Sequence, residues 1–335
     1  MTRSISILLC VCTRLFAAGA PASTLELVAR TDLPGISGDV DHMAIDTAGQ
    51  RLFLAAEDNG TLRVIDLRTH KLERTVRGFH TPHSILYLPE ANELYVTDGS
   101  KAIQVLDGST FQVKKTIPTT PGADSIGIDR ENHLLYTVSG GKDVEMTRSA
   151  ISIVDTKAAR LQTEIPIDAA HVEAMALEKS GPRLFVNVTD KNYLAVLDRR
   201  AGKIVGQWPV SDAQQNAPLA FDEAHRRLFV VCRAPGKLLI LDSETGRSIA
   251  NFPTGERADE VIFDPVHHRV YVAAGEGKIY IYEQIDADRY RALPPITSAL
   301  GAKTALLSAD ASQLFVAVSP GEGKTGAAVL VYAVK

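Results

Sequence analysis

Nine side chains carry the residue types from which a binding or reactive site could be assembled: Asp41, His42, His83, Asp124, Glu173, Asn216, Asp259, Glu260 and Lys303. All but Asn216 are ionisable. Carboxylates with imidazoles and one amine are what a charged ligand or a metal ion would use. They are scattered over more than 260 residues of a 335-residue chain. They matter only if a fold gathers them, so the elements that carry them come next.

One unit recurs along the chain. A short apolar segment ends in an acidic position, and a polar turn follows. A second strand then reads Arg51-Leu52-Phe53-Leu54, with counterparts at Glu93-Leu94-Tyr95-Val96, His133-Leu134-Leu135-Tyr136, Arg183-Leu184-Phe185-Val186, Arg227-Leu228-Phe229-Val230, Arg269-Val270-Tyr271-Val272 and Gln313-Leu314-Phe315-Val316. A third strand ends in Asp at Asp66, Asp107, Asp155, Asp198 and Asp242, and degrades in the last two units. The ends of the first strands, Asp46, Tyr87, Asp129, Glu178, Asp222, Asp264 and Ser308, lie 41 to 49 residues apart. Four short strands at a period in the low forties make a propeller blade, and no segment sustains a helical period. The expected fold is therefore all-β: a seven-bladed β-propeller with four-stranded antiparallel blades, spanning residues 23–335 as one domain. The chain ends after the third strand of the seventh unit. The segment Leu25-Glu26-Leu27-Val28-Ala29-Arg30 resembles the fourth strands, so residues 24–32 are expected to close the last blade and leave no open edge.

With the repeats in register, two positions per blade fall at the mouth of the central channel. The first holds Asp41, Pro82, Asp124, Glu173, Ala217, Asp259 and Lys303. The second holds His42, His83, Ser125, Ala174, Pro218, Glu260 and Thr304. Asn216 precedes this pair in the entry loop 214–218. Loops on a rigid scaffold are where binding residues concentrate. His80 and His171 fall on the same face. His70, His133, His225, His267 and His268 fall in turns on the opposite face and are expected to be solvated. An alternative role for the mouth Asp residues is to bond the backbone of the neighbouring blade in a wet channel. The Asp closing each third strand is structural, because an Asp side chain caps the tight turn that follows. The longest spacing marks an insertion, Gly140 to Arg148, over the mouth. Gly321-Glu322-Gly323-Lys324-Thr325-Gly326 extends blade seven likewise, and both are expected to be rims or lids. The latter lacks the spacing and the helix of a phosphate loop.

Residues 1–22 have the form of an export signal: Arg3, an apolar run from Ile5 to Cys12, and the small-x-small site Ala20-Pro21-Ala22. The expected location is periplasmic or secreted. Removing them takes away Cys10 and Cys12 and leaves Cys232, so no internal disulfide is expected. The formal charge moves from −4 to −6 as Arg3 and Arg14 are lost. That acidity disfavours nucleic acid as a partner. No apolar stretch reaches the roughly 18 residues of a membrane span. A monomer is expected.

Leu94-Tyr95-Val96-Thr97-Asp98 resembles the YVTN β-propeller repeat with Asp98 in place of its Asn, and Phe185-Val186-Asn187-Val188 is a looser match. The chain is similar to the bacterial, exported YncE-like propellers, whose role is mostly unassigned. The charged mouth points to a binding or scaffold protein with a ligand or metal site there, where a small molecule or protein partner would sit. Likeness to propeller lactonases and streptogramin lyases implies the alternative, a metal-assisted hydrolase or lyase. There Asp124, Glu173 and Asp259 would hold a divalent cation, the one cofactor the set admits. His42 or His83 would be the general base and Lys303 the oxyanion partner, with Glu173 among the catalytic candidates.

Overall fold

The computed structural model describes residues 23–100, 102–321 and 326–335. The export-signal reading of 1–22 and the centre of the blade-seven loop lie outside them. Seven four-stranded antiparallel sheets follow one another: residues 43–77, 82–118, 126–167, 172–209, 214–253, 258–297 and 302–334, the last completed by Leu25–Asp32. The innermost strand of each blade contacts that of the next, and blade seven contacts blade one, so the ring is closed. The closing strand Leu25–Asp32 pairs with Ala328–Val334, from Leu25 opposite Val334 to Asp32 opposite Ala328. This is the closure expected from its likeness to the other outer strands. No helix among the described residues is long and apolar enough to cross a membrane.

The second strand explains the repeat. A blade is stacked on both sides, so both faces of this strand are buried and it forms a continuous apolar run. In blade one, Leu52, Leu54 and Ala56 pack toward blade seven, while Phe53 and Ala55 pack toward blade two. Phe53, Phe185, Phe229 and Phe315 are wholly buried. Full burial of one such ring is worth about 2–3 kcal/mol. The Arg two residues earlier lies on the same side of the strand and stacks on the ring, with Arg51 at 5.4 Å from the Phe53 centroid and Arg183 at 5.3 Å from that of Phe185. It also staples blades together. Arg51 Nη1 donates to the Gly108 carbonyl at 2.7 Å, Arg183 Nη1 to Ser243 at 2.7 Å, Arg227 Nε to Ala287 at 2.9 Å and Arg269 Nη1 to Lys335 at 2.6 Å. Each bond crosses to the following blade on the face opposite the mouth.

The Asp residues ending the third strands behave as their turns require. Asp66 Oδ1 accepts from the Arg68 and Thr69 amides, Asp107 from Ser109 and Thr110, Asp155 from Ala158, Asp198 from Arg200 and Ala201, and Asp242 from Glu244 and Thr245. The opposite-face histidines are local as well: His225 and His267 bond Asp222 and Asp264 three residues back, at 2.7 and 2.8 Å. Cys232 is buried, and that burial pushes its thiol up to about 12. It is a packing residue.

Candidate functional site at the channel mouth

The innermost strands are bulged where they reach the mouth. Register shifts fall between Pro82 and Ile85, Val172 and Met175, Asn216 and Leu219, Ala258 and Glu260, and Ala302 and Thr304. A bulge inserts an unpaired residue and re-aims its side chain. The residues inside these bulges include His83, Glu173, Asp259 and Lys303. The backbone on either side is secured from the neighbouring blade. Thr304 Oγ1 donates to the Asp41 carbonyl at 3.1 Å, Thr97 Oγ1 to that of Asp124 at 2.7 Å, Ser125 Oγ to that of Glu173 at 3.3 Å and Arg233 Nε to that of Ala258 at 2.9 Å. These cross-blade bonds use the carbonyls of the mouth residues, so their side chains stay available to one another and to the channel.

Those side chains surround a cavity of about 610 Å³. Asp41, His42, His83, Asp124, Glu173, Asp259 and Lys303 all line it. Glu260 lies beside it, with Oε2 3.9 Å from His42 Nε2. Asn216 does not reach it. That side chain is fully buried, donating from Nδ2 to Asn187 Oδ1 at 2.7 Å and to the Tyr193 carbonyl at 3.1 Å. The bulge that follows Asn216 turns it into the blade interface, which corrects its expected place among the ligand-binding groups.

Two electrostatic clusters divide the mouth. In the first, Asp41 sits between two imidazoles, His42 Nδ1 at 2.5 Å and His83 Nδ1 at 3.0 Å. Burial opposes its charge, yet the two rings hold the Asp41 carboxyl well below the usual range. Burial likewise disfavours charged imidazoles. Asp41, Glu260 and Asp124 nevertheless raise His42 well above its ordinary value, and the hydrogen bond to Asp41 with the nearby Asp124 and Glu57 raises His83 to about 9. Both shifts favour the protonated rings, which works against the general-base role expected of His42 and His83. Burial and the charges of Asp41 and Glu173 push Asp124 up to about 6. Burial and Asp41 push Glu57 up to about 7, and burial with Asp259 brings Glu260 to about 7 against the pull of His42.

In the second cluster the carboxylates already have cations. Glu173 Oε1 is 2.6 Å from His171 Nε2 and 3.7 Å from Arg233, and burial is outweighed so that its carboxyl lies below the usual range. Asp259 pairs with Arg233 and, at 3.1 Å, with Lys303. Lys303 also reaches Asp39 at 3.0 Å, and these carboxylates outweigh burial to raise its ammonium above the ordinary value. The metal set expected from sequence, Asp124, Glu173 and Asp259, is thus split. The metal-ligand atoms brought together, all within 4.8 Å of one another, belong to Asp41, His83 and Asp124.

Sequence reasoning missed Arg233 and Glu57. Both stand at the ends of second strands, Arg227–Ala234 and just after Arg51–Ala56. The signal was available, since the loops that follow these strands share the mouth face. Gly60, with φ 57°, closes the Glu57–Asn59 turn; a Cβ there would lie 2.5 Å from the Phe79 carbonyl. The insertion after Gly140 does overhang the cavity. It is pinned to blade four by the Lys142 amide donating to the Ala170 carbonyl at 2.8 Å.

A segment of 96 residues is 28% identical to the uncharacterized protein YncE of Salmonella typhi and 27% identical to that of Salmonella typhimurium strain LT2. The chain is a seven-bladed β-propeller, and over this segment it is similar to YncE. The match spans 28% of this chain and 27% of the length of either relative. No family model matches the chain. Among solved structures, the chain superposes on a chain of the mitotic checkpoint complex with TM-score 0.77 at 15% identity, covering 99% of both chains. It superposes on Kuenenia stuttgartiensis hydrazine synthase with TM-score 0.74 at 17% identity, covering 90% of this chain and 98% of the other. At these identities the likeness is one of fold, and a propeller fold serves many functions.

Proposed function

We propose that this YncE-like propeller is an exported binding protein that holds a small, positively charged or metal-bearing ligand at the mouth of its channel. The observation carrying this reading is the cavity of about 610 Å³, lined by eight carboxylates against four Lys or Arg side chains. The volume suits a small molecule, and a wall with excess negative charge concentrates cations. The acidic surface makes nucleic acid a poor partner, and the chain acts as a monomer in the periplasm or outside the cell.

A thermal-shift screen tests the reading with diamines, basic amino acids, neutral sugars and organic acids. The cationic classes should raise Tm in the wild type and not in Glu57→Lys, which places an ammonium on the cavity wall. The reading is overturned if no class shifts Tm, or if the shifts persist in that variant.

The hydrolase or lyase reading draws support from Glu57, a cavity carboxyl raised to about 7 that exchanges its proton at neutral pH. A lactone and ester panel with and without chelator tests it. Turnover that is lost in Glu57→Gln would place catalysis in the same cavity, and no turnover removes this reading.

A further inference from the structure

Resting on the reading of the mouth as a ligand site, we infer that Asp41, His83 and Asp124 form a divalent metal centre for a transition ion of the Zn²⁺ or Mn²⁺ type. Each blade from one to three supplies one donor. Glu173 and Asp259 are engaged by His171, Arg233 and Lys303. Among the described ion pairs, Asp41 meets the imidazoles of His42 and His83, and the ligand atoms of Asp41, His83 and Asp124 lie within 4.8 Å of one another. Bonds of about 2.0–2.2 Å to a common ion bring donor atoms to about 3.4 Å of one another in a tetrahedral site. Rotations about the side-chain torsions cover the difference.

A second observation is independent of the side chains. All three donors are held at the backbone. The Asp41 amide donates to the Ala55 carbonyl at 2.8 Å and the Asp124 amide to that of Val138 at 3.0 Å. The carbonyls of Asp41, Asp124 and His83 accept from Thr304 Oγ1, Thr97 Oγ1 and the His42 amide, respectively. Each of these last three bonds comes from the preceding blade. The donors are therefore fixed by the closed ring, as a metal centre requires of its supporting shell.

The donor set selects the ion. One imidazole with two carboxylates suits Zn²⁺ or Mn²⁺, whereas Ca²⁺ takes six to eight oxygen ligands. Three protein donors leave coordination positions open, and they open onto the cavity. An incoming ligand with a carboxylate, hydroxyl or amine can complete the shell there. Glu57, 4.0 Å from His83, stands ready to add a further oxygen.

The test uses tag-free full chain, stripped with chelator and dialysed. Isothermal titration with ZnCl₂, MnCl₂ and CaCl₂ should show one equivalent of Zn²⁺ or Mn²⁺ and no Ca²⁺. Asp124→Asn and His83→Gln should each weaken binding by at least about tenfold, with melting curves confirming that they fold. His80→Ala, on the same face outside the trio, should bind as the wild type does. The Co²⁺-loaded protein should show a d–d absorption band that disappears in His83→Gln. If His83→Gln fails to fold, Asp124→Asn alone decides. No bound Zn²⁺ or Mn²⁺, or one equivalent retained in Asp124→Asn, overturns the centre. The Tm shift with diamines on the same preparation separates the two failures: a shift without metal overturns only the centre, and neither response overturns the ligand reading with it.

Discussion

The two faces of the ring use the same repeat in opposite ways. On the face away from the mouth, equivalent positions hold equivalent residues doing one job. Asp66, Asp107, Asp155, Asp198 and Asp242 each cap the turn that follows them. Arg51, Arg183, Arg227 and Arg269 each bond a carbonyl in the next blade. At the mouth, equivalent positions hold Asp41, Pro82, Asp124, Glu173, Ala217, Asp259 and Lys303. Their pairs run between blades, as in His83 with Asp41 and Lys303 with Asp259. Repetition marks what every blade needs in order to fold and stack. Departure from repetition, held on the same scaffold, marks what the ring does once it is closed.

This contrast predicts large stability losses away from the mouth and small ones at it. The largest effect should come from deleting residues 23–33. That removes the outer strand pairing with Ala328–Val334 and exposes an unpaired edge, so size-exclusion chromatography should show aggregation. A stable, monomeric deletion would break the account of closure.

Next in size is Arg183→Ala. It removes the guanidinium partner of the mostly buried Glu178 and a bond to the Ser243 carbonyl, with a cost of about 2 kcal/mol expected in denaturant unfolding. Asp242→Ala loses the acceptor for the Glu244 and Thr245 amides, at about 1 kcal/mol. At the mouth, Glu260→Gln should cost nothing near pH 8 and should flatten the pH dependence of Tm. Its carboxyl is raised to about 7 in the folded chain, so the folded state holds the proton more tightly than the unfolded one. The contribution is fully present below the unfolded value near 4.5 and is lost as pH rises through 7. Wild-type Tm should therefore fall over that window by more than Tm of Glu260→Gln. If Glu260→Gln costs as much as Arg183→Ala, the mouth is structural and the contrast fails.

Much of this was open to sequence reasoning, because each blade is a local object. The strands follow from alternation and turn residues, and the blade count from the period. The outer strand of blade seven is legible because Leu25–Arg30 resembles the other fourth strands. The mouth positions also followed, since register alone places residue 41 level with residues 259 and 303. Asn216 departs from its expected place because a bulge between Asn216 and Leu219 changes which way a strand residue points, and residue type does not announce a bulge. Arg233 is hard to single out from sequence because it ends a second strand whose role elsewhere is packing.

The sequence by itself determined the seven blades, the closing strand, the capping Asp residues and the ring of mouth positions, since all depend on contacts within a blade or between identical neighbours. Only the tertiary structure decided how the mouth charges are shared. Arg233 and Lys303 take Glu173 and Asp259, and Asp41, His83 and Asp124 remain together. The reason is distance: Coulomb and hydrogen-bond energies turn on separations of a few ångströms between blades 41 to 49 residues apart in the chain, and those separations exist only once the ring has closed.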